Sequence, residues 1–289
     1  MLGAEVISMY RRILFAVDDD EALPCAVPIV AAYARRWGAE VRVLHVHRID
    51  HDAPNAASRR LVKAVVDRLE SEGVPTEAEI RLVERGGKVG PIIARTATQA
   101  GADLVAVGSH GRSDLGAMFL GSVSHDAAGG LEAPVLVIKA ACDAPVEPRT
   151  ILVGTDGSAA SEEAVIEAAD VAASFGSKVV VVHVCQVVTN EAGAIVEPEE
   201  DARALVGRAV AAVARRGGSA EADVPVDHSA ANGIVTAAER HHADLVVLGS
   251  RRPSHLSGLV LGSVAHEATH RLRCPVLLAH RVRSAESVG

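Results

Sequence analysis

Gly108-Ser-His-Gly-Arg-Ser-Asp-Leu-Gly-Ala-Met-Phe-Leu-Gly121-Ser122-Val123 decides how this chain folds. It follows an apolar run, Asp103-Leu-Val-Ala-Val-Gly108, of the length and valine content of a buried strand, and it leads into a helix-forming segment. Glycines let the backbone approach a ligand closely, and the N–H groups of a helix opening at Gly121-Ser122 have no intrahelical partner. Such a layout cradles an anion at the end of a parallel strand. The passage recurs as Gly249-Ser-Arg-Arg252-Pro-Ser-His-Leu-Ser-Gly-Leu-Val-Leu-Gly262-Ser263-Val264, with Arg252 where the first copy has Gly111.

Outward from this loop, strands alternate with helices. In the first half strands are expected at 12–17, 41–46, 77–83, 103–107 and 135–139, and helices at 21–37, 57–72, 88–100 and 122–131. Short Val- and Ile-rich runs between helical patterns specify an α/β domain with a parallel sheet covered on both faces. The second half repeats the first. Asp18 matches Asp156 and His45 matches His183 at an offset of 138, whereas Gly108 matches Gly249, Gly121 matches Gly262 and Pro134 matches Pro275 at 141. Three residues are therefore inserted between the second and fourth strands of the second half. Residues 141–149 carry two prolines and no periodicity and read as a linker between domains at 1–140 and 150–289.

Composition limits the function. A chain of 289 residues has room for two cores, and a net charge of −8 with 2% aromatic residues makes a nucleic-acid partner a poor fit. No apolar stretch reaches the roughly 18 residues of a membrane span. Four scattered cysteines without a CxxC pair, and a start lacking a signal-peptide pattern, lead us to expect a reducing, cytoplasmic setting.

In a doubly wound sheet, ligands bind at the carboxyl ends of strands where the order reverses. A strand order of 3-2-1-4-5 makes strands 1 and 4 neighbours and sets Asp18 beside the Gly108 loop. The turn after the first strand, Asp18-Asp-Asp-Glu21, has no glycine and is acidic. It suits the hydroxyl or amine donors of a ribose or adenine, and Asp19 or Asp20 is a candidate to reach magnesium through water.

These residues resemble the universal stress protein family in its tandem two-domain form. The family's nucleotide motif, G-2x-G-9x-G-(S/T), is matched by Gly108, Gly111, Gly121 and Ser122. Further marks occur in both halves: an Asp closing the first strand (Asp18, Asp156), a His-Val pair in the second (His45-Val46, His183-Val184) and a final Pro-Val-Leu strand. The resemblance implies two Rossmann-like domains of the adenine nucleotide alpha hydrolase-like type, each a five-stranded parallel sheet of order 3-2-1-4-5. It also implies an ATP-, ADP- or AMP-binding stress regulator or nucleotide sensor, with a regulatory protein partner. By resemblance Val46 lies against adenine, Asp18 near the adenosine, and Gly108 and Gly111 along the ribose and phosphates. Gly121, Ser122, Val123 and Ser124 hold the phosphate chain. In the second half the same roles fall to Asp156, Val184, Gly249, Arg252, Gly262, Ser263 and Val264. Paired final strands, Val135 to Lys139 and Val276 to His280, imply contact within the chain or a homodimer through these strands.

The halves depart from the pattern in opposite ways. The first has Asp19-Asp20 where a Gly-Ser pair is common; the second has Asp156-Gly157-Ser158 but Arg252-Pro253 in the loop. If position 252 is left-handed, a non-glycine residue there costs about 1–2 kcal/mol, which a guanidinium–phosphate pair offsets. A scaffold with vestigial sites and a slow ATPase are the alternatives, although no residue presents itself as a catalytic base. His266-Glu-Ala-Thr-His270 spells HExxH, but its first-half counterpart, His125-Asp-Ala-Ala-Gly129, has no second histidine, so a zinc reading is disfavoured. His45, His47, His51, Asp50 and Asp52 form a second loose cluster, read as the polar rim of the cleft. His45 and His183, recurring inside strands, are expected to be hydrogen-bonded structural residues.

Overall fold

The structure, a computed structural model, describes residues 9–18, 23–49, 56–84, 87–109, 131, 133–140, 142–190, 193–195, 197–250 and 262–280. The first half runs β1 (Arg12–Val17), α1 (Leu23–Trp37), β2 (Glu40–Ile49), α2 (Ala56–Ser71), β3 (Thr76–Glu84), α3 (Val89–Ala100), β4 (Leu104–Ser109) and β5 (Val135–Lys139). The second runs β6 (Thr150–Gly154), α4 (Ala159–Phe175), β7 (Lys178–Val182), β8 (Cys185–Gln186), β9 (Val188–Asn190), β10 (Gly193–Ile195) and α5 (Glu199–Arg215). It continues through β11 (Ser219–Asp223), β12 (Val226–Asp227), α6 (Ala230–Arg240), β13 (Leu245–Gly249), α7 (Ser263–Arg271) and β14 (Val276–Ala279). The helix expected at 122–131 lies outside the described residues, Leu131 apart. No described helix is long and apolar enough to cross a membrane.

Within each half the strands are parallel in the expected 3-2-1-4-5 order, as β3-β2-β1-β4-β5 and β11-β7-β6-β13-β14. The halves do not form separate sheets. β5 and β14 pair antiparallel, with Leu136 opposite Leu277, so ten strands make one continuous sheet. A homodimer through these strands is accordingly corrected: both edges of β5 and of β14 are occupied within one chain, leaving no backbone donors or acceptors for a second copy.

Each face of this sheet has one apolar layer that runs through both halves. Phe15, Trp37, Leu69, Val165 and Val213 belong to the layer under α1, α2, α4 and α5; Leu44, Ile93, Val107, Ile234 and Ala268 belong to the layer under α3, α6 and α7. Aromatic residues are scarce, yet four meet at the seam between the halves. Trp37 packs edge-on to Tyr10 at 4.9 Å and to Tyr33 at 5.1 Å, and Tyr33 contacts Phe175 at 4.8 Å. Tyr10 also donates to the buried Glu167 of α4, and Lys139 of β5 donates to the His270 carbonyl at 2.7 Å, at the end of α7. Burial lowers the pKa of Lys139 to about 8.

One clamp recurs. Asp103 accepts from the N–H groups of Arg11 and Arg12 at 2.8 and 2.9 Å, and Asp244 accepts from those of Arg149 and Thr150 at 2.8 and 3.0 Å. In each half the residue before the fourth strand therefore fixes the start of the first.

The net insertion of three residues has two parts. Val41 faces Thr76, whereas Val179 faces Ala220, so an offset of 138 in the second strands becomes 144 in the third. It falls to 141 by the end of the next helix, where Gly101 and His242 both have positive φ. The added residues lie between β7 and α5, where the short hairpin β9–β10 forms; the β8–β12 pair stands where the first half continues β2 against β3.

Candidate functional site

The first cleft opens at the carboxyl ends of β1, β2 and β4, against the start of α3, with a cavity volume of about 160 Å³. This is the reversal point of the strand order, and Asp18, Val46 and Gly108 all line it. Leu44 and Val46, two residues apart in β2, project to the same face as Val107 and Ile93 and give the cleft an apolar floor. Asp18 stands exposed at the rim. Gly111, Gly121, Ser122, Val123 and Ser124 lie outside the described residues, as do Asp19 and Asp20. Two cations not singled out from sequence, Arg48 and Lys88, also line the cleft and are exposed. Lys88 is the N-cap of α3; the signal for it was its place directly before a helix at a strand's carboxyl end.

The second cleft, about 210 Å³, brings together Asp156, Val184, Gly249, Gly262, Ser263 and Val264; Arg252 lies outside the described residues. Gly262 is the N-cap of α7 in extended conformation, no side chain caps it, and Ser263 begins the helix. The free N–H groups of that first turn border the cleft, as the motif requires. Gly249 has a second reason to be glycine. A Cβ there would lie 2.5 Å from the Ala160 carbonyl oxygen, so the residue lets β13 pass against the first turn of α4. That turn is set by Asp156, which accepts from the Ser158 N–H at 3.0 Å, by Gly157 at φ 74°, and by Ser158, whose hydroxyl caps Ser161 N–H. At the positions of Arg48 and Lys88 the second half has Gln186, which lines its cleft, and Ser229, which caps α6 through Asn232 N–H.

His45 and His183 are structural anchors for the aspartates. Each Nδ1–H donates at 2.9 Å to the carbonyl of the residue before the cleft aspartate, Val17 for His45 and Thr155 for His183. The other ring nitrogen differs. His45 Nε2 accepts from Ser58 at 3.1 Å, and Ser58 in turn lies 3.0 Å from His47 Nδ1, whereas His183 Nε2 faces Glu197 at 2.6 Å. The remaining members of the first-half cluster, Asp50, His51 and Asp52, lie outside the described residues.

The HExxH spacing does set two imidazoles on one face of α7, with His266 Nε2 and His270 Nε2 3.0 Å apart. Burial, and then the neighbouring His270, lower the pKa of His266. Glu267 pairs with Arg271, and no third metal-ligating side chain joins the two histidines among the described residues.

A model of the universal stress protein family matches the chain twice, over residues 9–139 and 147–280. The chain belongs to the universal stress protein family. Among its relatives is a universal stress protein of Mycolicibacterium smegmatis, 29% identical over 261 residues that cover 86% of this chain and 84% of that protein. Another, from Mycobacterium tuberculosis, is 35% identical over 192 residues, 62% of each. The crystal structure of a universal stress protein from Archaeoglobus fulgidus has a TM-score of 0.69, covers 96% of this chain and 98% of its own, and is 18% identical, a likeness of fold. The tandem family form accounts for the two clefts, one per half.

Proposed function

We propose that this universal stress protein binds adenine nucleotides, ATP or its ADP and AMP relatives, and acts as a stress-response regulator or nucleotide sensor rather than through turnover. The observation that carries this is the convergence, at each strand reversal, of a carboxylate, a buried valine and a glycine: Asp18, Val46 and Gly108 in one cleft, Asp156, Val184 and Gly249 in the other. An apolar floor suits a purine face and a carboxylate suits ribose hydroxyls. Gly111, Gly121, Ser122, Val123 and Ser124, and in the second half Arg252, Gly262, Ser263 and Val264, are the proposed phosphate contacts, with magnesium on the phosphate chain. The domains are proposed as 1–140 and 150–289 joined by 141–149, with a cytoplasmic setting and a regulatory protein partner. Among the described residues, His183 is the histidine that lines the second cleft, and both its ring nitrogens are engaged, which supports binding over acid–base chemistry.

Mass spectrometry of small molecules retained by the purified full chain, followed by calorimetric titration with ATP, tests the reading. A retained adenine nucleotide, with binding lost at one site in Gly121→Val and at the other in Gly262→Val, is expected. No retained nucleotide and no heat with ATP, ADP or AMP would overturn it.

A further inference from the structure

The second half holds a donor set that the nucleotide reading does not use. His183 Nε2, Cys185 Sγ and a Glu197 carboxylate oxygen all lie within 4.8 Å of one another, brought together by the chain's departure from the sheet after β7 and by the approach to α5. We propose that His183, Cys185 and Glu197 form a zinc-class metal site with one coordination position open.

Three observations carry this. First, the Thr155 carbonyl fixes the proton on His183 Nδ1, so Nε2 is the nitrogen directed at the cluster. Orientation of a ligand imidazole by a backbone carbonyl on its other nitrogen is the usual support of metal-bound histidine. Second, the donors are imidazole, thiolate and carboxylate. With zinc bonds of about 2.0–2.3 Å, a tetrahedral centre holds its ligand atoms roughly 3.3–3.8 Å apart. The three donor atoms lie within 4.8 Å of one another, so the wider contacts have to close by up to about 1 Å, while the 2.6 Å contact between His183 Nε2 and Glu197 Oε2 opens to the same range. Third, the repeat supplies an internal comparison. The positions of His183 and Cys185 are occupied in the first half by His45 and His47, which Ser58 bridges, so the first half has an imidazole where the second has the thiol.

Cys185 is 2% exposed, and the half-exposed Glu197 side chain provides the way in. On binding, zinc takes the place of the thiol proton and of the proton between His183 and Glu197, and both protons leave to solvent. The metal would tie the 183–197 segment to the head of α5.

The test uses the full chain, stripped with chelator and titrated with Co²⁺ alone, then with Zn²⁺, in the absence of nucleotide. One Co²⁺ per chain is expected, with the near-ultraviolet absorption of a thiolate–cobalt bond, displaced by Zn²⁺. Cys185→Ser should abolish that absorption, and Glu197→Gln should weaken Zn²⁺ at least tenfold, on about the scale by which lost coordination support weakens metal sites. His270→Gln should leave the band unchanged. Circular dichroism checks folding, and if Cys185→Ser does not fold, the partly exposed Glu197→Gln carries the test alone. Absence of the band, its survival in Cys185→Ser, or its loss only in His270→Gln would overturn the proposal.

Discussion

The two clefts share one backbone plan and differ in charge. Both sit where strands 1 and 4 adjoin, both have an aspartate steadied by a histidine one strand away, and both have a valine floor. The first adds Arg48 and Lys88 at its rim, where the second has the neutral Gln186 and Ser229. The second presents the first turn of α7 at Gly262-Ser263, without a side-chain cap; the matching Gly121-Ser122 of the first half lies outside the described residues. A duplicated fold therefore keeps the parts that shape the backbone and lets the electrostatics of each copy drift. Among the described residues the first cleft offers an anion side-chain charge and the second the backbone dipoles of a helix start.

The sharpest way to separate the halves is Gly249→Ala. Its Cβ would collide with the Ala160 carbonyl oxygen, a backbone atom, and the resulting overpacking should cost up to about 3 kcal/mol in urea unfolding while the first cleft still binds nucleotide. Equal binding loss in both clefts would break the comparison. Next come the paired clamps. Asp103→Ala and Asp244→Ala should each destabilise by about 2 kcal/mol, because each orphans two backbone N–H donors in the same way. A large inequality between them would show that the scaffolds differ as much as the clefts do.

Exchanging the rim charges tests the electrostatic difference directly. Arg48→Gln with Lys88→Ser should weaken ATP at the first cleft about tenfold, roughly 1.4 kcal/mol, and adenosine hardly at all. Calorimetry at two salt concentrations reads both effects, and an unchanged ATP affinity would sink the charge argument.

The smallest expected effect concerns the seam that joins the halves. Lys139 titrates at about 8 in the folded chain against 10.5 ordinarily. Between those values the unfolded chain binds the extra proton, so this residue adds stability as pH rises from about 8 to 10.5. Thermal unfolding of wild type minus Lys139→Met should show that rise; a flat difference would mean the amine is not desolvated at the seam.

Much of the site was legible because its parts recur. Two copies of Gly–Gly–Ser spacing, of Asp18 and Asp156, and of His45 and His183 carried the family resemblance that implied the strand order, and made the anchoring histidines readable before any coordinates. Arg48, Lys88 and Glu197 escaped for the same reason: each occurs in one half only, and nothing local marks a charged residue at a strand end as facing a cleft. Gly249 was read as a phosphate glycine, although its tightest neighbour is α4, because distance along the chain conceals which helix crosses which strand.

The sequence alone determined the duplicated α/β class, since period, turn residues and motif spacing are local properties that repeat; the order of strands within each half followed from the family resemblance that those motifs carry. Only the tertiary structure decided that the halves share one sheet. β5 and β14 are 141 positions apart and equally apolar, and their pairing goes with the packing of Tyr10, Tyr33, Trp37 and Phe175 across the halves, contacts that no window of sequence contains. The same long-range closure removed the edge through which two copies were expected to join, because a strand has two edges and the fold uses both.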